Sequence, residues 1–129
     1  MDNLQFLTRK EATCHDLLSC LYNLKPIDIE IFLKVAENPW STLDQIAESV
    51  NRDRSSTHRV LAKLQSAGLV HKQSQGLKKG GYYHVYAPVE LVKIKQNAKQ
   101  RVKEITDSLQ TSVKNFDNDL EKQLKQNLK

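Results

Sequence analysis

The 129-residue sequence is poor in cysteine, glycine and proline, with two, four and three of them respectively. Two cysteines do not make a disulfide framework, so a reducing cytoplasm is the expected compartment. The few glycines and prolines exclude a collagen-like chain. No apolar run approaches the roughly 18 residues that a membrane span needs, so no membrane partner is expected. The start, Met1-Asp2-Asn3-Leu4-Gln5, has neither the basic segment nor the apolar stretch of a secretory signal. Enzymatic fingerprints are missing too: there is no G-x-G-x-x-G, Walker loop, G-x-S-x-G or H-E-x-x-H. Neither catalysis nor a cofactor is expected. On a helix, Cys14 and Cys20 lie about 9 Å apart along the axis, beyond the roughly 7 Å Cα reach of a disulfide. The same geometry defeats a metal site made of Cys14, His15 and Cys20, and His58, His71 and His84 lack ligand spacing. Cysteines filling an apolar face are the expectation, with an intersubunit bridge or thiol sensor as the alternative.

What is present suits one compact, soluble, helix-rich domain, with 39% hydrophobic and 27% charged residues. The net charge of +5 is unevenly placed. Residues 1–50 carry −4, residues 85–129 carry +3, and residues 51–84 carry +6. In that middle third only Asp53 opposes Arg52, Arg54, Arg59, Lys63, Lys72, Lys78 and Lys79. Clustered cations of this kind attract a polyanion by releasing counterions from phosphate, although a solvated face is the commoner use. The scaffold that presents the charge decides between the two.

Thr8-Arg9-Lys10-Glu11 reads as a capping box opening a helix to about Leu21. Pro26 opens a second helix with Ile27, Ile31, Phe32 and Val35, stopped by Asn38-Pro39. Ser41 or Thr42 caps a third, short helix with the stripe Leu43, Ile46, Ala47 and Val50. Asn51-Arg52-Asp53 makes a turn, and a fourth helix runs from about Arg54 to Ala67, ended by Gly68. The period then changes. Leu69–Gln73 and Tyr82–Tyr86 read as strands of a hairpin whose loop is Ser74–Gly81. Tyr82, His84 and Tyr86 share one strand face, and the tyrosines are expected in the hairpin core.

Pro88 ends the hairpin and opens a helix of roughly 36 residues, about 54 Å long. Leu91, Ile94 and Ala98 recur eleven residues on as Val102, Ile105 and Leu109, and again as Val113, Phe116 and Leu120. This 3-4-4 spacing favours a nearly straight or slightly right-handed helical pairing. The preceding segment is too small to cover so long a stripe, so a second copy of the chain is the expected partner. Three regions result: an N-terminal helix over 1–23, a helix-turn-helix with hairpin over 24–88, and a dimerisation helix over 89–129.

Leu43-Asp44-Gln45-Ile46-Ala47-Glu48-Ser49-Val50, Asp53–Leu61 and Leu64…Gly68-Leu69-Val70 resemble the archaeal TrmB-like transcriptional regulators, relatives of the MarR and ArsR groups. The resemblance covers about residues 24–88. It implies a mainly α winged helix-turn-helix that binds double-stranded DNA. Typical TrmB regulators continue into a large sugar-binding domain; a helix stands there in this sequence, which argues against sugar sensing.

The residues support the same reading independently. With Thr57, Val60, Leu61 and Leu64 turned inward, the fourth helix exposes Ser55, Arg59, Ala62 and Ser66, flanked by Ser56, Lys63 and His58. A major-groove helix needs small side chains and an arginine able to fork onto guanine. Arg54 and Arg59 are the candidates, with Ser55, Ser56 and His58 near the leading end. Arg52 and Arg54 suit phosphate clamping equally well. Lys78 and Lys79 at the wing tip and Lys72 on its stem suit backbone or minor groove. A homodimer would read a pseudo-palindrome with half-sites whole turns apart. The rival readings are a winged-helix adaptor for other proteins and a regulator gated by an unknown effector or by Cys14 and Cys20.

Overall fold

The computed structural model describes residues 14–127. It divides into two units, one ending at Lys95 and one beginning at Gln96. In the first unit, α1 (Cys14–Tyr22) buries Leu18, Leu21 and Tyr22. The proposed cap at Thr8–Glu11 lies outside the described residues. Asn23 takes a left-handed φ of 54°, and the Leu24 N–H closes the end onto the Ser19 carbonyl at 3.3 Å.

Pro26 opens α2 (Pro26–Glu37), where its missing N–H costs nothing. Ile29, Ile31 and Val35 are buried, while Ile27 and Phe32 are only half-covered. Helix α3 (Leu43–Ser49) is capped by Thr42, whose Oγ1 accepts from the Gln45 N–H at 3.2 Å. The Gln45 side chain returns the bond to the Thr42 N–H at 2.9 Å, a reciprocal box. Leu43, Ile46, Ala47 and Val50 all reach the core, as their spacing predicts. Asn51 turns the chain with a φ of 53°. Asp53 then caps α4 (Arg54–Ser66), its carboxylate accepting from the Ser56 N–H at 3.1 Å. Gly68, at φ +78°, lets the Leu69 N–H reach back to the Leu64 carbonyl at 3.0 Å.

The sheet is antiparallel, in the order β1–β3–β2, from β1 (Ser41–Thr42), β2 (Val70–Gly76) and β3 (Tyr82–Pro88). Strand β1 is unexpected from the sequence: Ser41 pairs with Tyr86 and Thr42 with Val85. It makes β3 the central strand, which is why three consecutive residues, Val85, Tyr86 and Ala87, are buried. The hairpin is also longer than its side chains suggest. Ser74, Gln75 and Gly76 pair with His84, Tyr83 and Tyr82, so the tip is only Leu77–Gly81. Two positive-φ glycines, Gly80 and Gly81, allow the Leu77 N–H to bond the Gly81 carbonyl at 3.1 Å. The tyrosine expectation is corrected: Tyr86 is core, but Tyr82 and Tyr83 stand on the open arm and are exposed.

Helix α5 spans Leu91–Asn127 without a break, 37 residues. Ile94 and Ala98 are half-covered, and from Val102 onward the whole apolar stripe is exposed. An i, i+4 ion pair, Glu121–Lys125 at 3.1 Å, and an Arg101–Asn97 bond at 3.1 Å support the helix from its own surface. Among the described residues no helix is long and apolar enough to cross a membrane.

Candidate nucleic-acid interface

Helices α3 and α4, joined by Asn51–Asp53, with the β2–β3 hairpin behind them, form a winged helix-turn-helix. The inward face of α4 follows the periodicity, except that Val60 is only half-covered. Thr57, Leu61 and Leu64 are fully buried, and the Thr57 hydroxyl donates to the Asp53 carbonyl at 2.9 Å. The outward face carries Arg54, Ser55, His58, Arg59 and Ala62, all exposed, with Ser56 half-covered. From Arg54 to Ser66 there is no carboxylate. An open groove lined by Leu43, Arg54, Ser55, His58 and Arg59 runs along this face.

Three acidic side chains order the cations around it, and the sequence pattern singles out only Asp53, as the lone acid of the basic third. The Asp53 cap is held below the ordinary aspartate range, chiefly by its bonds from Ser56, with the Arg59 charge adding a little. Arg59 Nη2 lies 3.4 Å from Ser56 Oγ, so both groups stand at the same helix end. Asp44, in the first turn of α3, accepts from Arg54 Nη1 at 2.5 Å. Arg54 therefore bridges the two helices of the motif. It also borders a cleft shared with His58 and with Tyr82, Tyr83, His84 and Tyr86 of the wing. Burial pushes the Tyr86 hydroxyl above its usual range, and the Arg54 charge pulls the other way.

Lys63 has a different destination from the one expected. Its Nζ lies 2.6 Å from Asp28 Oδ2, on a carboxylate only 4% exposed. Asp28 also accepts the Lys25 N–H at 2.9 Å, so the buried charge is satisfied twice. The ammonium that flanks the α4 face thus ties α4 to α2. Arg52, Lys72, Lys78 and Lys79 are exposed, the last two at the hairpin tip. His71 packs edge-on against Trp40, with ring centroids 5.2 Å apart, and His84 Nδ1 pairs with Ser74 Oγ at 3.2 Å.

The cysteines differ from the apolar filling expected of them. Cys14 is exposed and Cys20 half-covered, and both lie in α1, where a bridge between them would break the helix. Burial, assisted by Asp16, raises the Cys20 thiol above its ordinary value. That disfavours the thiolate a redox sensor needs.

A family model described as the sugar-specific transcriptional regulator TrmB matches residues 18–92. The uncharacterized protein MJ1503 of Methanocaldococcus jannaschii is 34% identical over 92 residues, covering 71% of this chain and 70% of its own. A possible transcriptional regulator from Methanosarcina mazei superposes with a TM-score of 0.70 at 24% identity, over 79% of this chain and 87% of that one. A protein from the archaeon Sulfolobus tokodaii superposes at 0.60 and 20% identity, over 84% and 99%. These superpositions show the fold, and the match to the family model spans more than half of the sequence. On that match, the chain belongs to the TrmB family of winged helix-turn-helix, DNA-binding transcriptional regulators.

Proposed function

We propose that the protein is a sequence-specific DNA-binding regulator that acts as a homodimer, with α4 in the major groove and the hairpin on the backbone or minor groove. The observation that carries this reading is the outward face of α4. Small or hydroxylated side chains allow close approach, two arginines stand at the leading end, and no carboxylate opposes phosphate along the helix. Arg59 is the base reader in this scheme, and Arg54 shares the role under restraint. Ser55, Ser56, His58 and the end of α4 suit phosphate oxygens. Arg52, Lys72, Lys78 and Lys79 bind phosphates on either side. Lys63 serves the fold through Asp28.

The exposed stripe of α5 supports self-association. Seven apolar side chains from Val102 to Leu124 are each at least about one-third exposed, more apolar surface than an isolated helix keeps in water. A second copy supplies an identical stripe, and a two-fold dimer matches two half-sites roughly 10 bp or a multiple apart.

Fluorescence anisotropy tests the reading, using a duplex enriched from a random pool by the protein and the starting pool as control. Arg59→Ala is expected to weaken the enriched duplex about tenfold or more and the pool far less. Equal losses on both would remove Arg59 from base reading. Failure to enrich any sequence would overturn sequence-specific binding.

A further inference from the structure

We infer that Asp44 is a positioning residue for sequence reading: its carboxylate fixes the Arg54 guanidinium at the mouth of the α4 groove and penalises duplexes that give that arginine no base edge. This rests on the regulator reading above.

The Asp44–Arg54 pair is close, at 2.5 Å, and spans the helix-turn-helix from α3 to α4. Fold stability does not explain it. The two side chains are 72% and 67% exposed, and pairs so open to solvent contribute little to folding. Nor does helix electrostatics favour an arginine here. Arg54 is the first residue of α4, at the positive end of the helix dipole, where a cation is disfavoured. Asp44, by contrast, sits in the first turn of α3, where an anion is favoured. A cation is kept at an unfavourable position by an anion at a favourable one.

The chemistry of the fork gives that arrangement a use. A guanidinium has five N–H donors in one plane, and reading guanine takes two of them side by side. Asp44 engages Nη1, and the planar group still has donors to present to the groove that Arg54 lines with Ser55, His58 and Arg59. Restraining the plane before DNA arrives lowers the ordering cost of a two-bond contact. The same carboxylate repels phosphate on every duplex, whatever its sequence. Only a duplex that satisfies Arg54 offsets this repulsion, so Asp44 supplies discrimination through an unfavourable contact as well as a favourable one.

The prediction is a change of opposite sign on two probes, which neither misfolding nor simple charge removal produces. Asp44→Asn is expected to weaken the enriched duplex about tenfold, the scale of one bidentate base contact. On the random pool it is expected to strengthen binding about two- to threefold, as removal of one repulsive charge does. Asp44→Glu, which keeps a carboxylate, should stay near the parent on both. In an Arg54→Ala background, Asp44→Asn should no longer weaken the enriched duplex, because no guanidinium remains to position. Parallel strengthening on both probes would make Asp44 a mere repulsive charge and overturn the inference. Parallel weakening, or an undiminished loss in the Arg54→Ala background, would overturn it too. In each of those cases an enriched duplex exists, so the regulator reading survives. If the parent enriches no sequence, both fall together.

Discussion

In α4 the inward residues Thr57, Leu61 and Leu64 are wholly covered, whereas in α5 Val113 and Phe116 are 60% and 59% exposed. Both helices are amphipathic, and a helical period announces each. The difference lies in what the rest of the chain offers them. Helix α4 packs against α2, α3 and β2, all within the winged unit. Helix α5 from Gln96 onward is a unit by itself, with no buried side chain along its length. Apolar periodicity thus marks an amphipathic face, without saying whether the same chain covers it. Charge divides the two regions in the same way. On α4 and the hairpin tip the cations other than Lys63 are exposed with no acid among them; on α5 Glu104, Asp107, Asp117, Asp119 and Glu121 stand among the cations, and Lys125 is paired to Glu121.

The largest effect that could break this comparison is on stability. Leu61→Ala is expected to cost about 2–5 kcal/mol, because a fully packed site collapses only partly; urea unfolding would measure it. Leu120→Ala should leave unfolding of the winged unit unchanged and instead weaken self-association about tenfold, as removal of a central apolar anchor does. Sedimentation equilibrium would read the second change. A loss of monomer stability from Leu120→Ala equal to that from Leu61→Ala would show the two stripes to be equivalent.

A smaller effect sharpens the contrast in charge. Replacing Lys78 and Lys79 with alanine should flatten the dependence of log K on log salt, on all sequences alike. The slope should fall by about 0.9 for each phosphate that the wing no longer neutralises. The matched pair Lys122→Ala and Lys125→Ala, on α5, should leave the slope where it was. An unchanged slope for the wing variant would take the hairpin tip off the DNA.

The smallest effect concerns the cap of α4. The Asp53 carboxyl is held below its ordinary range, so the folded state favours its ionised form. Its stabilisation is therefore complete above the unfolded value near about pH 4, and is lost as pH falls through the lower folded value. The gap in melting temperature between the parent and Asp53→Ala should stay constant from neutral pH down to that range and narrow below it. A gap that widened on acidification would reverse the assignment.

Much of this organisation is legible in the sequence because it is local. The Thr42–Gln45 box, Pro26 at a helix start, Gly68 at a helix end and the inward face of α4 all depend on residues within one or two turns of each other. What escaped is non-local or carried by backbone. Strand β1 has two residues and exists only because Tyr86 and Val85 lie beside it. Ser74, Gln75 and Gly76 look like loop by side chain, yet pairing with β3 needs only their N–H and C=O groups. Asp28 and Lys63 are 35 residues apart, and Asp44 and Arg54 are ten. No spacing rule joins either pair. The exposed face of α4 could be listed from its period, but which of its cations were already engaged could not.

The eleven-residue repeat of α5 is also a ruler with equal divisions. A partner helix laid along it could slide by one repeat, about 16 Å at 1.5 Å per residue, and meet almost the same stripe again. Equal divisions define a direction of contact but no unique alignment. The graduations that differ most are Ala98 in the first repeat and Phe116 in the last, a small side chain and a large ring. Any alignment that seats the ring opposite another ring differs in fit from one that seats it against the alanine. If a second copy pairs along α5, as proposed above, those two positions, more than the leucines and valines between them, distinguish one alignment from the next.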